Sequence, residues 1–179
     1  MQSSRSIAHW LLAAGILLLP ATTNAGLAPD FRHNNAAEWI NSAPLSLSQL
    51  RGKVVLIEFW TFDCINCLRS IAWVKALESR VATGELVVIG VHTPELAEER
   101  LPANVRAAVS RLGLNYPIVL DTDYSYWNAL GNQYWPAFYL IGRDGSLISH
   151  EIGEMHEGEP SAIRLEAAIR TLLAAPGGY

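Results

Sequence analysis

The chain has 179 residues, half of them hydrophobic, with 13 Lys and Arg against 17 Asp and Glu and a formal net charge of −4. That length fits one domain able to bury a sufficient core without cross-links. The mildly acidic balance leaves no basic stripe to neutralise phosphates, which argues against nucleic acid as a partner.

Residues 1–25 read as a signal peptide. Arg5 is their one basic side chain, and an apolar run from Ile7 to Leu19 is broken only by His9. Pro20 ends the run, and Thr23 and Ala25 put small residues where a signal peptidase cuts, with cleavage expected after Ala25. An uncleaved membrane anchor is the weaker alternative, since a span needs about 20 apolar residues. The protein is therefore expected to be exported, periplasmic or otherwise, with residues 26–179 as a single domain. Removal of Arg5 leaves 12 basic residues against 17 acidic ones.

Residues 26–35 lack periodicity and read as a loose lead-in. "LSLSQLRGK" suggests a helical turn closed by Gly52, and "VVLIEFW" a buried strand. Leu68, Ile71, Val74 and Leu77 then recur at helical spacing, with Gly84 expected to close that helix. "ELVVIGVH" is a second buried strand. "PELAEERLPANVRAAVSRLGL" reads as helical, opened by Pro94 and interrupted near Pro102. "YPIVLD" is a short strand and "SYWNALG" a short helix. "PAFYLIG" and "LISHEIG" flank Arg143-Asp144-Gly145-Ser146, a hairpin turn signal. Ser161 to Leu173 form a last amphipathic helix. Strands separated by helices imply parallel pairing with helices on both faces.

Cys64 and Cys67 are the only cysteines. A staple between residues three apart closes a tiny loop, worth roughly 2 kcal/mol, and constrains almost nothing tertiary. Zinc wants four ligands, yet no second cysteine pair exists, and His92, His150 and His156 are not spaced as a ligand set. His150 and His156 read as surface. Redox chemistry explains more. Cys64 falls where a buried strand yields to a helix, so unpaired backbone N–H groups and the helix dipole favour its thiolate. Cys67, one turn further in, is placed to attack a mixed disulfide on Cys64 and release the substrate.

The element order, with Cys-x-x-Cys after the first buried strand, resembles the thioredoxin fold, an α/β architecture with a central mixed sheet flanked by helices. More narrowly, "FWTFDCINCLRS", "VVIGVHTPE", "YPIVLD" and "YWPAFYLIGRDG" resemble the thioredoxin-like domain of the TlpA and DipZ families of exported oxidoreductases, from about Asn41 to Leu173. The resemblance implies a thiol–disulfide oxidoreductase needing no cofactor, acting on exported proteins that bear disulfides or thiols, and more often a reductant. It implies a cis bond at Pro136, leaving the backbone of Trp135 free to pair with an extended substrate segment. It also implies a buried acid at Glu58, with a raised pKa suited to shuttling a proton to or from Cys67. Trp60 matches an aromatic that flanks such sites. His92, ending the second strand, could tune the thiolate or meet substrate.

The chain departs from the family pattern in places. Ala72 stands where a helix-kinking proline is usual, and Ile65 and Asn66 between the cysteines are neither Gly-Pro nor Pro-His. DipZ proteins carry a membrane domain that delivers electrons, so the electron source here would be a separate membrane thiol donor. "GEMHEGE" follows the family's Gly-Glu-Gly ending only in part. Two alternatives stay open. Thr61 and Cys64 have the Thr-x-x-Cys spacing of peroxiredoxins, although Ile57 stands where those have proline. A copper-binding or metal-delivery module uses the same fold, usually with cysteines three residues apart and a histidine, for which His92 is the candidate.

Overall fold

A computed structural model describes residues 26–81 and 84–175; the expected signal peptide lies outside them. Six strands form one sheet in the order β1-β4-β3-β2-β5-β6. They are β1 (Trp39–Ile40), β2 (Val54–Trp60), β3 (Leu86–His92), β4 (Ile118–Leu120), β5 (Ala137–Ile141) and β6 (Leu147–Ile152). The helices are α1 (Ile65–Arg80), α2 (Pro102–Leu112), α3 (Ser125–Ala129) and α4 (Pro160–Ala174). Strands β2, β3 and β4 run parallel, whereas β5 pairs antiparallel with both β2 and β6. The sheet is the expected mixed one, with a thioredoxin-like order of elements.

Strand β2 is buried along its whole length, as a central strand covered on both faces must be. Successive side chains alternate between the faces. Val54, Leu56 and Trp60 pack with Ile71, Val74 and Leu77 of α1 and Leu165 and Ile169 of α4. Val55, Ile57 and Phe59 point the other way, onto Phe31, Tyr126, Trp127 and Tyr139. Phe59 lies edge-on to Trp127 at 5.5 Å and to Tyr139 at 5.6 Å, a favourable aromatic geometry.

Several boundaries differ from those read in the sequence. The lead-in is tied down: Leu27 bridges Ser146, the Ala28 N–H donates to the Gly145 carbonyl, and Phe31 is buried. Helix α1 ends at Arg80, before Gly84, and runs unbroken past Ala72. Helix α2 opens at Pro102, not Pro94. Pro94 to Leu101 is a loop holding one 3-10 turn, Glu98–Arg100. Proline at the first helical position costs no hydrogen bond, so Pro102 starts the helix rather than interrupting it. The two-residue β1, paired antiparallel with β4, has no counterpart in the sequence reading.

Candidate active site

The sheet sets the site by ending β2 at Trp60 and starting α1 at Ile65, with Cys64 as the helix N-cap. Cys64 is half-buried, whereas Cys67 is fully buried in the α1-facing core. The two are joined by a disulfide. The Cys67 N–H donates to the Cys64 sulfur at 3.1 Å, so the first turn of α1 places a backbone donor on that atom. A thiolate released there on reduction meets the positive end of the helix dipole.

A groove opens over Cys64. Asp63, Cys64, Ile65, Glu95, Tyr134 and Trp135 line it. The Trp135–Pro136 peptide is cis. The Trp135 indole N–H donates to the Thr93 carbonyl at 3.1 Å, and its ring lies 4.1 Å from that of Trp127. Both contacts hold the Trp135 side chain beside the groove.

Glu58 lies beneath, on the β2 face shared with Leu56 and Trp60, and is 0 % exposed. Burial pushes its carboxyl up from 4.5 to about 7, against the lowering pull of the Tyr116 hydroxyl, which donates to Oε2 at 2.9 Å. Its other oxygen, Oε1, has no hydrogen-bond partner among the described residues. Burial and the adjoining carboxyl in turn raise the Tyr116 hydroxyl well above its usual value, so it stays a donor.

Gly90 makes this pair possible. It sits opposite Glu58 in the β2–β3 register, and a β-carbon there would lie 3.0 Å from Trp60 Nε1 and 3.1 Å from the Tyr116 ring. Gly90→Ala should therefore destabilise the fold by roughly 1–3 kcal/mol through overpacking. Chemical denaturation measures this, and an unchanged midpoint would mean that Trp60 and Tyr116 have room to yield.

Trp60 and His92 are both buried, at 0 % and 1 % exposure. The two rings meet edge-on at 5.1 Å, and Phe62 stacks on His92 at 5.7 Å. Burial pushes the His92 imidazole down from 6.5 to about 4, against the raising influence of the Glu99 carboxylate. His92 is therefore neutral at pH 7, with Nε2 at 3.3 Å from the Thr61 hydroxyl. His150 is exposed, as expected. His156 is half-buried and pairs with Glu154 at 2.7 Å. The loop around Glu154, which carried no reading in the sequence, is anchored to α1. Arg69 bonds Glu154 at 3.3 Å, and the Ser70 hydroxyl accepts the Met155 N–H at 2.9 Å.

The sequence reading missed Glu99. It lies in the stretch expected to be helical, and nothing in "PELAEER" separates a buried acid from its exposed neighbours. Another polar cluster, His33 with Asp121 and Asp123, also had no sequence signal. Asp121 there accepts the N–H groups of Tyr126 and Trp127 and the Thr93 hydroxyl, so its oxygens secure α3.

Comparison with known proteins agrees with this geometry. The Redoxin family model matches residues 24–166. The chain is 44% identical over 134 residues to the protein DipZ of Mycobacterium tuberculosis, covering 73% of this chain and 19% of DipZ. The chain thus spans about a fifth of its DipZ relatives. The thiol-disulfide oxidoreductase ResA of Halalkalibacterium halodurans is 29% identical over 126 residues, 69% of this chain and 68% of ResA. The crystal structure of a thioredoxin-like superfamily protein superposes with a TM-score of 0.70 at 26% identity, covering 85% of this chain and 99% of the other. The fold is thioredoxin-like, the cysteine pair closes at the N-terminus of its first long helix, and the chain belongs to the Redoxin family.

Proposed function

We propose that the protein is a thiol–disulfide oxidoreductase that exchanges electrons with exported proteins through Cys64 and Cys67, working mainly as a reductant. One observation carries this reading: the half-exposed helix-capping sulfur of Cys64 is bonded to a fully buried sulfur one turn inward. That asymmetry gives one thiol to meet substrate and one to resolve.

In the reducing direction the Cys64 thiolate attacks a substrate disulfide. A Cys64–substrate bond forms, and the first substrate sulfur leaves as a thiolate. Cys67 then gives its proton to Glu58, whose carboxyl sits near neutrality, and attacks the Cys64 sulfur. The Cys64–Cys67 bond forms and the second substrate thiolate departs. Two electrons have passed to the substrate, and no cofactor takes part. The backbone of Trp135, before cis-Pro136, offers an edge for pairing with an extended segment. A separate membrane thiol donor would restore the dithiol. Export rests on the signal-like character of residues 1–25. Among the described residues no helix is long and apolar enough to cross a membrane.

The competing chemistries find less support in the geometry. The Thr61 hydroxyl, which a peroxidase would direct at the cysteine, faces His92 and Glu99 instead. His92, which a copper site would recruit, is buried in an aromatic pocket. Mixing the reduced protein with an excess of a disulfide-bonded protein tests the reading. The expected result is release of two substrate thiols per protein molecule, with Cys64–Cys67 recovered as a disulfide. Consumption of peroxide, or tight retention of one Cu(I) with no exchange, would sink it.

A further inference from the structure

Glu99 has no part in the exchange steps above, yet it joins two loops that line the groove, through Asp63 and Glu95. It sits in the 3-10 turn Glu98–Arg100 and is 1% exposed. Its Oε1 accepts the N–H of Asp63, the residue immediately before Cys64, at 3.1 Å. Its Oε2 accepts the N–H groups of Glu95 at 2.6 Å and Leu96 at 2.8 Å, in the loop after β3, where Glu95 lines the groove. The Thr61 hydroxyl donates to the same carboxylate.

Burial works to raise the Glu99 carboxyl, but the donors from Thr61, Leu96, Asp63 and Glu95 outweigh it and hold the group below its usual range. It is therefore ionised at neutral pH. The charged groups around it do not compensate it. Asp63 and Glu95 are themselves acidic and exposed, and His92 is neutral. The Arg100 guanidinium turns to the Thr122 carbonyl and the face of Tyr124.

We infer that Glu99 is a positioning residue of the dithiol site: its carboxylate fixes the Cys64 loop to the Glu95 loop and sets a negative charge near Cys64 that makes the pair more reducing. A buried anion one peptide from the nucleophile opposes the thiolate that the helix N-terminus favours. A thiolate held less firmly stabilises the reduced state less, which lowers the reduction potential, the reverse of how strong dithiol oxidants work. Both carboxylate oxygens are used, one for each loop. An amide has a single acceptor oxygen and cannot serve both loops.

This inference rests on the dithiol-exchange reading, so the unmodified protein is titrated first. Absence of a reversible Cys64–Cys67 transition there overturns that reading. With the transition present, Glu99→Gln should shift the exchange equilibrium toward the reduced protein by about tenfold, a rise of about 30 mV. Alkylation of Cys64 should also extend to lower pH. Glu99→Asp keeps the charge but is one methylene shorter. Its potential should stay with the parent, while KM for a protein disulfide rises by about threefold or more at unchanged kcat. Loss of stability in Glu99→Gln with potential and alkylation profile unmoved would make Glu99 a structural staple only, and the inference would fail. Should Glu99→Gln not fold, Glu99→Asp decides: a raised potential or an unchanged KM overturns it.

Discussion

Cys67→Ser should leave the protein arrested on its substrate as a mixed disulfide through Cys64. Cys64 keeps its helix-cap position and half-exposed sulfur, so attack on a substrate disulfide proceeds. A serine hydroxyl at the buried position cannot complete the second exchange. In the native protein that step is intramolecular, at an effective molarity that no millimolar external thiol approaches, so turnover should fall by roughly 10³-fold or more. Cys64→Ser should be equally inactive but form no adduct, because the remaining thiol of Cys67 is buried. Mass spectrometry after acid quenching distinguishes the two. An adduct on Cys64→Ser and none on Cys67→Ser would reverse the assigned roles.

Glu58→Gln should change stability and chemistry in opposite directions. Native Glu58 holds its proton up to about pH 7, whereas the unfolded chain releases it near 4.5. Between those values the native state carries the extra proton, so this group's contribution to stability falls as pH rises, by about 3 kcal/mol in all. His92 acts in the opposite sense. Its folded value of about 4 lies below the unfolded 6.5, so its contribution is present above pH 6.5 and is lost as pH falls toward 4, again by about 3 kcal/mol. Between pH 4.5 and 6.5 the two slopes oppose each other, and the parent protein should show a nearly flat profile from this pair.

Glu58→Gln removes one slope, so stability should climb through that window and exceed the parent's by about 2–3 kcal/mol at pH 8. The amide still accepts from Tyr116 but cannot take the Cys67 proton. Resolution of the mixed disulfide at pH 7 should accordingly slow by roughly 10²-fold. Urea unfolding across pH, together with single-turnover exchange, measures both. A parallel pair of stability curves would show that Glu58 does not keep its proton in the fold.

The parts legible in the sequence were those set by continuous or periodic patterns. "VVLIEFW" read as a buried strand from its unbroken apolar, β-branched run, and residues 54–60 are buried throughout. Cys64 and Cys67 stood out because no other cysteine exists. The positions of Glu58 and Pro136 came from family resemblance, and the full burial of Glu58 and the cis Trp135–Pro136 bond needed the fold. What stayed hidden depends on long-range packing. Trp60 and His92 end adjacent parallel strands, which suggests proximity to the site, but their depth shows only in the fold, where their rings meet and Phe62 stacks on His92. Glu99 was invisible for the same reason. Its burial comes from two loops whose backbone N–H groups converge on one carboxylate, and Pro102 read as an interruption hid the turn that carries it.

The central claim is that Cys64 and Cys67 form a reversible, reducing dithiol. Their reduction potential tests it most directly, by equilibration with dithiol and disulfide buffers followed by thiol trapping and mass measurement. A single two-electron transition near roughly −250 mV or lower is the expected result. A transition near about −120 mV would make the protein an oxidant, and no reversible transition at all would contradict dithiol exchange itself.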